Sequence, residues 1–348
     1  MKAKPTPPAR RPSIHDLARL TNLSYGTISR AFNNRYGVSP ATRLKILQAA
    51  EEIGYSPNSA PVSAGGKTNR WGVLLPHLTN PYYAELFEYL DVEIRALNLI
   101  PHLALSHHQV DQEKELLRQW GAAEIDAVII DPLGHAENEK MIATLQSWSI
   151  PVLLINQDPA DWADVLLYDF RQSQERALQY LISLGHRQIS YVGYHHPRAE
   201  QSGYFQGFLQ FMQKAGLSVP PENRLFVHND DEDAGREIFL SWENRQRRPT
   251  AVVCANDNLA LSLMAQCRLR SLRVPEDLSV LGRDDVRLAS SVGLSTLRTD
   301  RREAAQAIVR LVHGRLLHPG QAPKRIVLPS EFMVRHTIGP VPPANPAR

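Results

Sequence analysis

The spacing of hydrophobic positions changes at about residue 70. Before it, apolar residues recur three and four positions apart and predict helices at about 14–20, 25–32 and 40–53. Ser24 stands where a cap opens the second helix, and Ser39-Pro40 starts the third, with Gly54 as its stop. Ile14, Leu17, Ala18, Leu23, Ile28, Phe32, Val38, Leu44, Leu47 and Ile53 form the predicted core of this small unit. Residues 56–70, rich in Ser, Pro, Asn and Gly, read as a linker. From Trp71 onward, short apolar runs alternate with amphipathic stretches. Strands are predicted at 72–75, 102–105, 127–130, 152–155, 189–192, 225–227, 251–254, 280–282 and 326–328. Helices are predicted at 82–97, 111–120, 171–184, 204–215 and 257–269. Near-continuous apolar strands separated by helices predict an α/β chain with doubly wound parallel sheets. About 270 residues of this pattern call for two lobes, with a cleft near the strands' carboxyl ends.

The first two helices carry the chemistry of the N-terminal unit. Ile14-His15-Asp16-Leu17-Ala18-Arg19-Leu20 and Ser24-Tyr25-Gly26-Thr27-Ile28-Ser29-Arg30-Ala31-Phe32-Asn33 are separated by a tight polar turn. This is the build of a helix-turn-helix, whose second helix enters the DNA major groove. Tyr25, Gly26 and Arg30 fall where side chains meet base edges. Arg30 offers two donors to guanine, a pairing worth about 1–3 kcal/mol of discrimination. Ser24, Thr27, Ser29, Asn33 and Thr42 suit phosphate contacts, which fix register without reading sequence.

Charge supports a polyanion partner for this end alone. The chain carries +3 overall, but residues 1–70 hold 11 Lys/Arg against 3 Asp/Glu, and the remainder 28 against 33. A basic head on a mildly acidic body fits nucleic acid at one end. The basic, proline-rich residues 1–12 read as a disordered tail without the apolar core of a secretory signal. No apolar run is long enough to span a membrane, and the spacing of the 2 cysteines suggests neither metal nor redox chemistry. Cytoplasmic placement and no cofactor are the expectations.

Further motifs follow in order: Val38-Ser39-Pro40-Ala41-Thr42-Arg43, Gly54-Tyr55-Ser56-Pro57-Asn58, Thr79-Asn80-Pro81-Tyr82-Tyr83, Leu184-Gly185-His186-Arg187, Ala255-Asn256-Asp257 and Gly282-Arg283-Asp284-Asp285. With the helix-turn-helix they resemble the lactose-repressor family of bacterial transcription regulators, from about residue 14 to 335. The resemblance implies a helix-turn-helix head (13–58), a hinge (59–70) and a two-lobed body like periplasmic sugar-binding proteins (71–335), ahead of a proline-rich tail (336–348). It implies a first lobe of about 71–168 with a returning segment after 300, and a second of 169–299 with the C-terminal segment. It further implies a homodimer on double-stranded operator DNA, probing a near-palindrome, with affinity set by a sugar-like effector between the lobes.

The resemblance also assigns residues. Asn58 and Ala64 fall on hinge contacts, and at Ala64 the family carries a minor-groove leucine. A methyl group is a poorer wedge, and Pro61 and Gly65 disfavour a hinge helix, so less DNA bending is expected. Effector contacts fall on Tyr82, Tyr83, Asn156, Asn256 and Asp284. Three further matches depart from the family: Tyr204 stands where a clamping arginine is usual, Asp230 where an aromatic often covers the ligand, and Arg301 where some members carry an aromatic. Arg283 likewise replaces Phe or Tyr before the paired aspartates. These changes predict a pocket less aromatic and more charged, and an effector that is itself charged or held chiefly by tyrosines.

Two other readings stay open on sequence alone. A soluble sugar sensor without DNA function leaves 14–58 unexplained. A sugar-modifying enzyme lacks a catalytic constellation, because adjacent Asp284-Asp285 cannot straddle one bond and no nucleophile elbow occurs.

Overall fold

The computed structural model describes residues 14–32, 38–53, 68–121, 125–134, 136–157, 162–196, 199–228, 233–242 and 248–341. Three helices come first: α1 (Ile14–Thr21), α2 (Tyr25–Phe32) and α3 (Pro40–Ile53). Asn22 adopts φ 56°, and the Leu23 amide reaches back to the Ala18 carbonyl at 3.3 Å. That left-handed residue and six-to-one bond end α1 as a Schellman motif and turn the chain toward α2. Ser24 caps α2 through the Thr27 amide at 3.2 Å, and Ser39 caps α3 through the Thr42 amide at 3.1 Å.

Leu17, Ile28, Ala31, Ile46, Ala49 and Ala50 form the core of this unit, with Ala18, Leu23, Val38 and Ile53 packed against it. One element of the predicted core is corrected. Leu44 is 57% exposed and Leu47 40% exposed, whereas Ile46, Ala49, Ala50 and Ile53 face inward. The spacing i, i+3, i+4, i+7 from Ile46 makes one helical stripe. Small alanines occupy two of its positions, so the larger leucines drew the sequence reading to the wrong face.

The remaining order is β1 (Arg70–Leu75), α4 (Pro81–Ala96), β2 (Ile100–Leu105), α5 (Val110–Gly121), β3 (Ala127–Ile130), α6 (Ala136–Ser147), β4 (Val152–Ile155) and β5 (Asp164–Asp169). Then come α7 (Arg171–Ser183), β6 (Ile189–Tyr194), α8 (Gly203–Lys214), β7 (Arg224–Val227), α9 (Ala234–Leu240), β8 (Ala251–Cys254) and α10 (Asp257–Leu269). The chain ends on β9 (Ser279–Leu281), α11 (Arg287–Ser291), β10 (Thr296–Thr299), α12 (Arg301–Leu317) and β11 (Arg325–Met333). Strands β5 and β10 lie outside the predicted set. β10 reads Thr-Leu-Arg-Thr, too short and polar for its period to show.

The chain divides into two compact units. One comprises residues to Pro76, Leu90–Val165 and Ile308–Lys324; the other comprises His77–Tyr89, Leu166–Ala307 and the chain from Arg325. In the first, β2-β1-β3-β4 run parallel. β3 and β4 are buried along their whole length, as a sheet covered on both faces requires. Arg315 holds Asp164 there through two bonds of 2.8 and 2.7 Å, and the Lys324 amide bonds the same carboxylate at 2.7 Å.

In the second unit β7-β6-β8-β9 run parallel, while β10 and β11 pair antiparallel. Strand β6 pairs with both β7 and β8, so the strand order reverses there. The carboxyl ends beside such a reversal form the crevice where open α/β sheets bind ligands. At that edge lie Tyr194, Ala255-Asn256 and Gly282-Arg283.

Candidate functional site

The α2 surface presents the predicted base-reading residues. Tyr25 is 49% exposed, and Gly26 and Arg30 are exposed. A Cβ at Gly26 would lie 4.0 Å from its nearest neighbours, so packing does not demand glycine here. The position is open to whatever lies across it. Arg30 Nε donates to its own helix at the Gly26 carbonyl, 3.1 Å away. The Thr27 and Thr42 hydroxyls sit against the capping oxygens of Ser24 and Ser39, at 2.9 and 2.8 Å. Ser29 lies on α2; Asn33, Asn58 and Ala64 lie outside the described residues.

His15 was absent from the predicted set. Its Nδ1 hydrogen-bonds the Tyr25 hydroxyl, and the two rings meet edge to face at 4.6 Å. A histidine at the second position of α1, ten residues before a tyrosine, is the sequence signal for this contact. It sets the direction in which Tyr25 leaves the helix.

The predicted effector residues divide between the two units. Asn156 belongs to the first; it is exposed, adopts φ 60°, and donates from Nδ2 to Asp131 Oδ2 at 2.8 Å. Asp230 lies outside the described residues. The others are in the second unit, where a chain of rings connects several of them. Tyr83 and Tyr82 meet at 5.1 Å, Tyr82 and Tyr168 at 6.5 Å, Tyr168 and Phe170 at 6.0 Å, and Phe170 and Tyr204 at 5.7 Å. Asn80 caps α4 through the Tyr82 amide at 3.1 Å and so fixes the first turn that carries the tyrosine pair.

Tyr204 sits in the first turn of α8, capped by Ser202. The buried Gln174 donates to the Tyr204 carbonyl at 2.9 Å. That approach requires Gly207, because a Cβ there would come within 2.8 Å of Gln174 Oε1. Tyr204 is 6% exposed, and its hydroxyl has no hydrogen-bond partner among the described residues. Burial pushes its pKa up, so it remains a neutral phenol.

Arg283 was not in the predicted contact set, although its departure from the family pattern was legible. Its guanidinium carbon lies 4.7 Å from the Tyr204 ring centre and 5.0 Å from that of Phe170. Such stacking is worth about 0.5–2 kcal/mol. Burial, the largest single influence, works against its charge, but the Asp284 carboxylate together with Tyr204, Tyr191 and Tyr194 more than offsets it, and the pKa is raised. Its Nε is 3.6 Å from Asp284 Oδ1, an ionic contact without a hydrogen bond.

Asn256 caps α10, its Oδ1 accepting from the Leu259 amide at 2.9 Å. Asp257 is the first helical residue. Asp257 is fully buried, accepting from the Thr296 hydroxyl at 2.6 Å and the Val286 amide at 2.9 Å. Burial first, and the nearby Asp284 charge second, raise its pKa. Gly282 is required beneath it, since a Cβ would meet Asp257 Oδ1 at 2.1 Å.

Asp284 and Asp285 both adopt positive φ, 115° and 55°. Outside glycine, each such residue costs about 1–3 kcal/mol and persists only where neighbours over-determine it. Arg301 supplies that constraint. Its Nη1 donates to the Asp284 carbonyl, and its Nη2 to the Asp285 carbonyl at 2.7 Å. Arg335 holds the Asp285 carboxylate at 2.6 Å. Arg301, placed by sequence among the effector contacts, therefore braces the turn that presents Asp284.

Among the described residues no group of three or more His, Cys, Asp or Glu is placed to hold a metal ion, and no helix is long and apolar enough to cross a membrane.

Comparison with known proteins accounts for both parts of the chain. Residues 13–58 match the family described as bacterial regulatory proteins, lacI family, and residues 178–338 match the periplasmic binding protein-like domain. The HTH-type transcriptional regulator DegA of Bacillus subtilis (strain 168) is 29% identical over 344 residues, covering 94% of this chain and 98% of DegA. Catabolite control protein A of Priestia megaterium is 30% identical over 291 residues, covering 80% and 84%. In three dimensions, the lac repressor dimer bound to operator and the anti-inducer ONPF superposes with a TM-score of 0.67 at 22% identity, covering 94% of this chain and 99% of that one. The chain belongs to the lacI family of bacterial regulatory proteins.

Proposed function

We propose that the chain is a cytoplasmic, homodimeric transcriptional repressor whose grip on operator DNA is set by a small molecule bound in its body. One observation carries the reading: a capped, compact helix-turn-helix exposes Tyr25, Gly26 and Arg30 on its second helix. Residues 13–58 are the DNA-binding domain in this reading, 59–70 the hinge and 71–335 the effector and dimerisation body. Ser24, Thr27, Ser29, Asn33 and Thr42 contact phosphates and position the helix; Arg30 and Tyr25 read bases. Two heads on a dimer read two half-sites of a near-palindrome. The lac repressor, bound as a dimer to operator and an anti-inducer, supplies the precedent for all three partners.

The effector site is built from Tyr82, Tyr83, Tyr204, Asn256 and Asp284, with Arg301 as the brace behind Asp284. Aromatic rings suit the apolar face of a sugar, and the carboxylate and amide suit its hydroxyls. Effector binding changes operator affinity by a coupling of about 1–3 kcal/mol.

Fluorescence anisotropy with the full chain tests the reading. The labelled duplexes are the region upstream of its own gene and a scrambled duplex of equal length. Preference for the upstream region at physiological salt supports it; equal binding to both, or none to either, rejects it.

A further inference from the structure

The corner formed by Arg283, Tyr204 and Asp284 in the second unit carries a more specific conclusion. Buried donors in folded proteins are almost always paired, yet two polar groups here are not. The Tyr204 hydroxyl and Arg283 Nε are both buried without a hydrogen bond to any described residue. Their side chains stack, with the guanidinium carbon 4.7 Å from the Tyr204 ring centre. An apolar side chain would pack against Phe170 and Tyr204 without stranding a donor, so packing alone does not explain an arginine at position 283.

The charges around Arg283 show which donors remain available. Arg301 Nε is also without a hydrogen bond, but its two Nη groups are taken by Glu85 at 2.8 Å and by the Asp284 and Asp285 carbonyls, and Arg335 is held by Asp285 at 2.6 Å. Among the described residues the charge facing Arg283 is Asp284, at an ionic but not hydrogen-bonding 3.6 Å. Nε and the adjacent Nη form the fork that meets two parallel oxygens, the geometry of a carboxylate or a phosphoryl group. A ring hydroxyl supplies one oxygen and no charge, and leaves the fork half used. Asp284, beside it, accepts hydrogen bonds and so suits hydroxyl donors on the same molecule.

We propose that this corner binds a polyol bearing an oxyanion, a sugar acid or a sugar phosphate, with the oxyanion on Arg283 and the Tyr204 hydroxyl and the polyol hydroxyls toward Asp284. Arg283 is then the specificity-determining residue of the effector site. The inference rests on the effector reading above but makes a separate claim, that the ligand is anionic.

The test uses the full-length protein and matched probes: D-glucuronate, D-galacturonate and glucose 6-phosphate against glucose and galactose, with inorganic phosphate as the control for a bare ion. Binding is read by calorimetry and by thermal shift. The expected result is binding of at least one oxyanion sugar ten times or more tighter than its neutral partner and than inorganic phosphate. Arg283→Met removes that difference, and Arg283→Lys, which keeps the charge without the fork, keeps part of it. Circular dichroism establishes that each variant is folded; if Arg283→Met is not, the lysine variant carries the comparison. The carboxylate and phosphate arms identify which oxyanion is taken. Neutral sugars binding as tightly as the charged ones, no oxyanion sugar binding, or charged-sugar binding unchanged in the folded variants would each overturn the proposal. Operator preference, measured on the same preparations, distinguishes these outcomes from failure of the regulator reading.

Discussion

Arg301 and Glu85 form an ion pair at 2.8 Å with both side chains 9% exposed. The Glu85 carboxylate also accepts from the Arg287 amide at 2.9 Å. The pair links the second turn of α4 to the first residue of α12 behind the strained Asp284-Asp285 turn. Removing one partner from such a pair leaves a buried charge unmatched and costs about 3–5 kcal/mol. Arg301→Gln should therefore lower the urea midpoint strongly. The double variant Glu85→Gln/Arg301→Gln should recover part of the loss. Additive losses in that cycle would refute the coupling.

Gly282 is constrained by contact rather than by its own dihedral angles. With Asp257 Oδ1 2.1 Å from the position of an added Cβ, Gly282→Ala must displace a carboxylate held by Thr296 and Val286. Overpacking of this kind costs about 1–3 kcal/mol. Denaturant unfolding should show that loss. Gly203→Ala, where nothing lies within 4 Å of the added methyl, is the control and should fall within about 0.5 kcal/mol of the parent.

His186 gives the body a defined acid sensitivity. It is fully buried, with Nε2 facing the Gly339 carbonyl at 2.9 Å and Nδ1 the Thr250 hydroxyl at 2.9 Å. A carbonyl only accepts, so Nε2 carries the proton and Nδ1 accepts from threonine. Burial lowers the His186 pKa from 6.5. The unfolded chain then binds more protons than the folded one once pH drops below 6.5, and stability falls until the folded pKa is passed. Melting curves should show the parent losing more stability between pH 7.5 and 5.0 than His186→Gln does. Parallel pH profiles would contradict this.

Arg30 is expected to contribute to sequence reading more than to general affinity. Its bond to the Gly26 carbonyl is local and exposed, and is readily exchanged for a base contact. Arg30→Ala should weaken operator binding by about 1–3 kcal/mol while changing binding to random duplex far less. Equal losses on both would make Arg30 a phosphate contact.

The elements that sequence resolved best were those with strong periodicity or punctuation. Ser24 and Ser39 cap the helices they were expected to cap, and the runs at 127–130 and 152–155 are the fully buried β3 and β4. Alanine hid the buried face of α3, and the short polar β10 gave no period to read. At the candidate site, motifs resembling the family's assigned Tyr82, Tyr83, Tyr204 and Asp284 as expected contacts. They could not find the stacking of Arg283 on Tyr204, because 79 positions of chain separate the two and only the parallel sheet brings them together. Arg301 was legible as a charge near the site, but its role depends on the positive φ of Asp284 and Asp285, which sequence does not display.

The central claim is that the exposed face of α2 recognises a particular DNA sequence. Selection of the purified full chain against random duplex oligonucleotides, with and without the sugar probes, tests it most directly. The account predicts enrichment of an inverted repeat with two related half-sites; recovered pools with no shared sequence under any condition would contradict it.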